Sequence, residues 1–345
     1  MKNKNYWHRQ YVKQLEEKIY SGELCIFVDK ILILTFLVLL ILLSFFTIRK
    51  VYYQIQLNKN VEKLSLDKKI LKITFFDVGQ GDATLISFDR EQILIDTGPG
   101  KGMLIQESEP GKLITEIDAG KEIIVPYLKK NNVTLTGIII THPHSDHFGG
   151  LFSIFEAGFY PKWFIDNGIA TSYPLYEEVL KIIKKKNVKY SIAKPTEKIK
   201  LDDEIELLFL GPVNEYKSEV VDRAINNSSI VAKLVYKNFS VLFSGDIEIF
   251  AEMDLLEYKD HLKSTVLKVP HHGSFTSASI PFLDKVQPKI AIISCGRGNP
   301  FGHPHQETIE KLNKRKITIF RTDQNGNITI LTDGINYKVI TEREY

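Results

Sequence analysis

Cysteine is almost missing. Cys25 and Cys295 are the only two in 345 residues, so no disulfide framework is available, and neither stands in a C-x-x-C pair. That scarcity suits the cytosol and an exported bacterial domain equally well. A charge excess of either sign is also lacking: 45 basic against 42 acidic residues leave a formal +3, too even to argue for nucleic acid or membrane binding from charge alone. No short-period repeat or low-complexity tract occurs. With 43% hydrophobic and 25% charged residues, most of the chain is expected to bury a core.

One stretch lacks charge altogether. Residues 31–48, ILILTFLVLLILLSFFTI, are closed by Arg49 and Lys50. As a helix the run would span roughly 27 Å, close to the thickness of bilayer hydrocarbon. It is apolar on every face, which argues against a core helix. Some 30 residues precede it and no small-x-small site follows, which argues against a cleaved signal. The expectation is a single membrane anchor, with residues 1–30 a polar tail, 49–70 a linker and 71–345 a folded domain. Lysines and arginines flank both ends, so charge assigns no orientation.

From Leu71 short β-rich runs begin. LKITFFDVG, ATLISF and QILIDTG are separated by Gly and Asp, as strands and turns require. ITEIDAGKEIIVPYLKKNN reads as a loop entering a helix near Ile124–Lys130, and TGIIITH as a short buried strand. Downstream, GGLFSIFEAG, PLYEEVLKIIKKKN, EIFAEMDLLEY, SIPFLDKVQ and QETIEKLNKR read as helices. KWFID, EIELLFL, SIVAKLVYKN, FSVLFSG, TVLKVP, KIAIISC, TIFRT and NITILTDG read as strands. Consecutive strands followed by β/α alternation fit a sheet-on-sheet core with outer helices, in two similar halves. The lysines of KIIKKKN read as a solvated helix face.

Histidine is scarce too, nine in all, yet three fall within HPHSDH at residues 142–147. One histidine alone would be read as a core residue; four potential ligands in six positions would not. Pro143 and the preceding strand disfavour a helix, so the donors are expected on a tight turn at a strand end. Such a turn aims His142 and His144 one way and Asp146 and His147 another, as a two-metal hydrolytic centre needs. Gly149 and Gly150 are expected to let the backbone leave the turn. Four ligands do not fill two ions, and further donors stand at later strand ends: Asp246 in VLFSGD, and His271 and His272 in VLKVPHHGS.

HPHSDHFGG with SGD resembles the H-x-H-x-D-H signature of metallo-β-lactamase-fold hydrolases. FFDVGQGDATLI, ILIDTG, VPYLKKNNV, NNSSIV, LFSGDIE, KVPHHGS and GHPH further resemble, in order over residues 71–333, the catalytic domain of ComEC-type competence proteins. The resemblance implies an α/β fold, the αββα four-layer sandwich, here preceded by the N-terminal transmembrane helix. The multi-helix ComEC channel has no counterpart in this sequence, so DNA transport does not carry over. By resemblance, His142 and His144 hold one metal, Asp146, His147 and His271 the other, and Asp246 bridges, with His272 turned away. A histidine that completes the first site in many members has no counterpart, because none occurs between residues 148 and 245. Asp96 is expected to orient the ligand turn through an imidazole N–H. Asp82 and Gln80, beside the glycines that follow Asp77, and Asn227 and Ser228 are expected either to support the site or to serve as turn residues. His303, in GHPH with His305, is expected to contact a phosphate or protonate a leaving group.

All expected donors are nitrogen or oxygen, which suits zinc and admits manganese. A water between two dications would be the nucleophile, with Asp146 and Asp246 as catalytic carboxylates, and Cys295 reads as a small buried residue. The expected activity is phosphodiester hydrolysis, in nucleic acid first, by resemblance to the ComEC domain. A phosphodiesterase on cell-surface polymers, similar to phosphorylcholine esterases, and a metal-stabilised binding module are the alternatives. The resemblance places the catalytic domain outside the cell membrane and residues 1–30 in the cytoplasm.

Overall fold

The computed structural model describes residues 10–14, 16–17, 32–41, 44–45, 69–106, 112–169 and 174–344. The chain falls into two compact units, Met1–Asp67 and Lys68–Tyr345. In the first, the described residues are helical. Among the described residues no helix is long and apolar enough to cross a membrane. Of the expected span, residues 31, 42–43 and 46–48 lie outside the described set, as do most of the tail and nearly all of the linker.

The second unit is built on two sheets. In chain order, β1 (Leu71–Phe75), β2 (Ala83–Phe88) and β3 (Glu91–Thr97) open the first. Strands β4 (Leu104–Gln106) and β5 (Lys112–Ile114) pair separately as a two-stranded ribbon. Next come β6 (Gly137–Ile139), β7 (Trp163–Asp166) and β8 (Lys189–Ile192). The second sheet contains β9 (Lys198–Asp202), β10 (Ile205–Gly211), β11 (Val231–Tyr236), β12 (Phe239–Phe243), β13 (Val266–Lys268), β14 (Ile290–Ile293) and β15 (Thr318–Arg321). The chain then returns to the first sheet with β16 (Ile328–Thr332) and β17 (Tyr337–Thr341). The orders are β17-β16-β1-β2-β3-β6-β7-β8 and β15-β14-β13-β12-β11-β10-β9. Each sheet is antiparallel in its early strands and turns parallel, at β3–β6 in the first and β12–β13 in the second. These are the two similar halves expected from the sequence.

Strand alternation explains the layering. On β2 and β3, Ile86 and Ile93 point into the space between the sheets, where they meet Leu207, Leu234 and Val241. Their neighbours Leu85 and Leu94 point outward, under the helices Val125–Lys130, Leu151–Glu156 and Pro174–Lys185. The second sheet is covered likewise by Ile249–Leu255, Ile280–Val286 and Gln306–Lys314. Period-2 side chains that are apolar on both faces need cover on both, and the result is the αββα sandwich. Among the strands absent from the sequence reading, two are polar. KYSI of β8 and KIKLD of β9 are sheet edges, where charged side chains guard unpaired backbone and hide the strand pattern.

The helix Ile280–Val286 takes its N-terminal partner from another element. Ser279, at its cap position, makes no capping bond. The fully buried Glu252 instead accepts from the backbone N–H of Ala278 at 2.5 Å and of Ser279 at 2.8 Å. Burial pushes this carboxyl from its ordinary 4.5 up to about 6, against the pull of those N–H groups. The folded state therefore holds the proton more tightly, and stability falls as pH rises from 4.5 through 6, by on the order of 2 kcal/mol. Glu252→Gln should abolish that slope. Glu252→Ala, which strands two buried donors, should cost about 2–4 kcal/mol. Urea unfolding at acid and neutral pH reads both.

Candidate metal centre

The site lies where parallel strands end, the usual place for ligands in α/β sheets. Asp96 stands next to last in β3, the turn from His142 follows β6, Asp246 follows β12, and the histidine pair follows β13. The turn is part helical: His144 is extended, while Asp146 and His147 sit in the short helix Ser145–Phe148. Glycines allow it to pack closely. A Cβ at Gly81 would fall 2.3 Å from the Asp146 carbonyl oxygen, and one at Gly150 would fall 2.2 Å from that of Thr97. Gly150 has ordinary helical angles, so what it supplies is room and not the conformational freedom expected from sequence.

Four donors converge. Asp146, His147, Asp246 and His272 each offer one ligand atom, and these atoms all lie within 4.8 Å of one another, all buried. Asp246 Oδ2 lies 3.2 Å from both His147 Nε2 and His272 Nε2, and Asp146 Oδ2 lies 3.2 Å from His272 Nε2. Asp246 Oδ1 is buried with no hydrogen-bond partner. Two imidazoles, two carboxylates and a spare buried oxygen fit a divalent cation, since carboxylates gathered this densely need positive charge.

The fourth ligand corrects the expectation, which chose His271 and turned His272 away. Both residues have left-handed backbones, φ 49° and 51°, in the tight turn Pro270–Gly273. His272 Nδ1 donates to the Ser294 carbonyl at 3.0 Å, which aims Nε2 at the two aspartates. His271 turns to Glu248 Oε1, 3.6 Å away, and Thr276 Oγ1, 3.4 Å away. Adjacent residues in such a turn splay apart, and spacing alone does not say which faces the cluster.

The other expected ligands adjoin it. His142 Nε2 lies 3.1 Å from His144 Nδ1, and the His142 and His147 rings are 4.1 Å apart. Burial first, then the charges of His147 and His144, hold His142 well below the ordinary histidine range, so its ring is neutral. Thr141 Oγ1 gives its proton to Asp96 Oδ2 at 2.8 Å and is left to accept from His142 Nδ1 at 3.1 Å. That leaves the His142 Nε2 lone pair facing His144 Nδ1.

The supporting residues divide. Asp96 Oδ2 accepts from His147 Nδ1 at 2.9 Å. Asp82 Oδ1 lies 3.4 Å from His272 Nδ1. Gln80 Oε1 accepts from the Gly296 N–H at 3.1 Å, and its Nε2 lies 3.4 Å from His303 Nδ1. His303 is buried, its ring 6.0 Å from that of His272. Asn227 and Ser228 end a helix and do not line the site. Asn227 Oδ1 accepts from Glu248 and Ala251 N–H, while Ser228 Oγ donates to the Ala224 carbonyl. The next residue takes the expected place: Ser229 Oγ lies 3.2 Å from His142 Nδ1 and accepts the Asp246 N–H at 3.1 Å. Asp77 pairs with Arg343 at the rim, and His305 Nδ1 accepts from Phe275 N–H. Cys295 is a buried thiol pushed up to about 12, first by burial and then by Asp323. Sequence reading also passed over Lys268, buried 2.6 Å from Asp82 Oδ2. A lysine at a strand end carried no signal of its own.

Two cavities open in this part of the molecule, and the smaller reaches the cluster at Asp146. One of about 510 Å³ is lined by Val78, Gln80, Ile117, Arg297, Asn299 and Arg343. Another of about 230 Å³ is bounded by Met103, Leu104, His144, Asp146 and Leu175.

The sequence pattern of the Metallo-beta-lactamase superfamily matches residues 76–297. The chain belongs to that superfamily and is a metal-dependent hydrolase of its class. Over 74% of its length it is 32% identical to ComE operon protein 3 of Bacillus subtilis, and over 77% it is 31% identical to Recombination protein 2 of Haemophilus influenzae. It is 27% identical over 74% of its length to Competence protein ComA of Neisseria gonorrhoeae. It covers 32%, 29% and 31% of those proteins, about a third of their length. Among solved structures, the metallo hydrolase Igni18 of Ignicoccus hospitalis matches with a TM-score of 0.46 and 18% identity, over 75% of this chain and 98% of that one.

Burial alone would strip His147 and His272 of their protons, but the surrounding carboxylates, Asp246 foremost, hold both well above the ordinary value. An incoming cation must displace those protons. Calorimetry of Zn²⁺ binding near pH 7, in buffers of different ionisation enthalpy, should show protons released from both imidazoles and affinity rising with pH.

Proposed function

We propose that the chain hydrolyses phosphodiester bonds in nucleic acid, DNA foremost, using two divalent ions, zinc or manganese, at adjoining sites. The observation that carries the reading is the buried donor cluster with a cavity reaching it at His144 and Asp146, on a chain similar to proteins named for competence and recombination. Bound divalent ions supply Lewis acidity and make water nucleophilic near neutral pH. Asp146, His147, Asp246 and His272 hold one ion. His142 and His144 would hold the other, with Asp246 contributing to both. His303, beside Gln80, protonates the departing oxygen or grips the phosphate. The larger cavity, with Arg297 and Arg343 at its wall, receives the strand next to the scissile bond.

The uncharged run at 31–48 is proposed as a single-pass anchor, with the hydrolase unit outside the cytoplasm and residues 1–30 within. Protease treatment of intact cells should remove the unit; full protection would refute this orientation.

A panel of single-stranded DNA, duplex DNA, RNA and a phosphorylcholine polymer, each with Mn²⁺ or Zn²⁺, tests the substrate. DNA should be cleaved, and Asp246→Ala should fall to the metal-free background while staying folded. His303→Gln should lower kcat by roughly 10²-fold or more. Turnover of the polymer but not of DNA would sink the nucleic-acid reading, and equal rates for parent and Asp246→Ala would sink the site.

A further inference from the structure

We infer that Lys268 is a positioning residue for the ion site: it clamps Asp82, and through Asp82 it sets the ring of the ligand His272. The inference rests on the cluster being the catalytic ion site and is independent of which diester is cleaved.

Lys268 ends β13, four residues before His272. It is 3% exposed, a costly place for an ammonium unless it is paired and hydrogen-bonded. Its Nζ lies 2.6 Å from Asp82 Oδ2 and donates to the Val269 carbonyl at 3.0 Å. A side chain so enclosed has no route to a substrate, so its charge acts within the protein.

Asp82 is tied on both sides. Its N–H donates to the Asp146 carbonyl at 3.2 Å, and its own carbonyl accepts the Gly98 N–H at 2.7 Å. The loop carrying it is thus joined to the ligand turn and to the end of β3. With Oδ2 on Lys268, Oδ1 faces His272 Nδ1 at 3.4 Å, beside the Ser294 carbonyl at 3.0 Å. The Ser294 carbonyl accepts from Nδ1 and fixes the tautomer, while the Asp82 carboxylate, an ion-pair distance away on the same side of the ring, holds the proton on Nδ1, and Nε2 is left aimed between Asp146 and Asp246. Asp96 does the same for His147. The His272 arm differs in being built from a cation at a strand end and an anion on a separate loop. It also stabilises a turn whose two histidines both have left-handed backbones, a conformation that neighbours must enforce.

Partners of this kind are worth about 10- to 100-fold in metal affinity. Co²⁺ titration of the 345-residue chain, followed by d–d absorption, is the test because it reads ligand geometry without turnover. Lys268→Met should weaken Co²⁺ binding by about 10- to 100-fold and alter the absorption envelope. Lys268→Arg should recover most of the loss. Asp82→Asn should behave like Lys268→Met, and the double variant should be no worse than the weaker single, because both remove one linkage. A merely structural lysine would change the unfolding midpoint and leave the spectrum of the loaded site unmoved. If Lys268→Met binds Co²⁺ like the parent, or if the single losses add in the double variant, the inference fails. Should Lys268→Met not fold, Asp82→Asn decides: parental affinity in that variant overturns it. A parent that binds Co²⁺ but cleaves no diester would overturn the proposed substrate and leave this assignment standing. A parent that binds no Co²⁺ would overturn both.

Discussion

Four aspartates, Asp82, Asp96, Asp146 and Asp246, are packed with histidines where the two sheets end, nearly shut off from water. Gathering that much negative charge out of solvent is the constraint on which the rest of the structure turns. Burial by itself would protonate these carboxyls. For Asp82, Asp146 and Asp246 the surrounding charge outweighs burial and holds them below the ordinary carboxylate range. The positive charge comes from Lys268 for Asp82 and from His147 and His272 for the other two. Asp96 goes the other way: burial dominates, and its carboxyl is raised.

The sandwich makes that concentration possible. Its strands are apolar on both faces and hold a rigid pair of sheets, so the loops at the carboxyl ends of β3, β6, β12 and β13 meet at fixed separations. Glycines at 81 and 150 bring backbone against backbone where any side chain would collide. The loops then lock one another: Asp96 reaches the turn after β6, Ser229 reaches both His142 and Asp246, and Asp82 reaches the turn after β13. A site assembled from four strand ends has each side chain held by a residue distant in sequence. Such cross-bracing keeps donors in place before an ion arrives.

Much of this was legible along the chain because it is periodic or concentrated. Buried runs such as ILID and VLF mark strands, and four donors in six positions mark a site whatever the fold. Edge strands such as β8 and β9 were not legible, because their polar faces erase the alternation. The residue choice around the site was also hidden. Asn227 and Ser228 stand in the expected interval, but the helix Val221–Asn227 uses both at its end, and the next residue, Ser229, reaches the site instead. Lys268 reads on paper as one more surface lysine.

Local sequence therefore determined the kinds of donor, their placement at strand ends and the layered α/β architecture, since each depends on composition and short-range period. Tertiary structure decided between His271 and His272, brought Ser229 and Lys268 to the cluster and removed Asn227 from it. Those outcomes depend on directions of side chains leaving tight turns and on contacts between segments that are separate in the sequence. No local pattern carries that information.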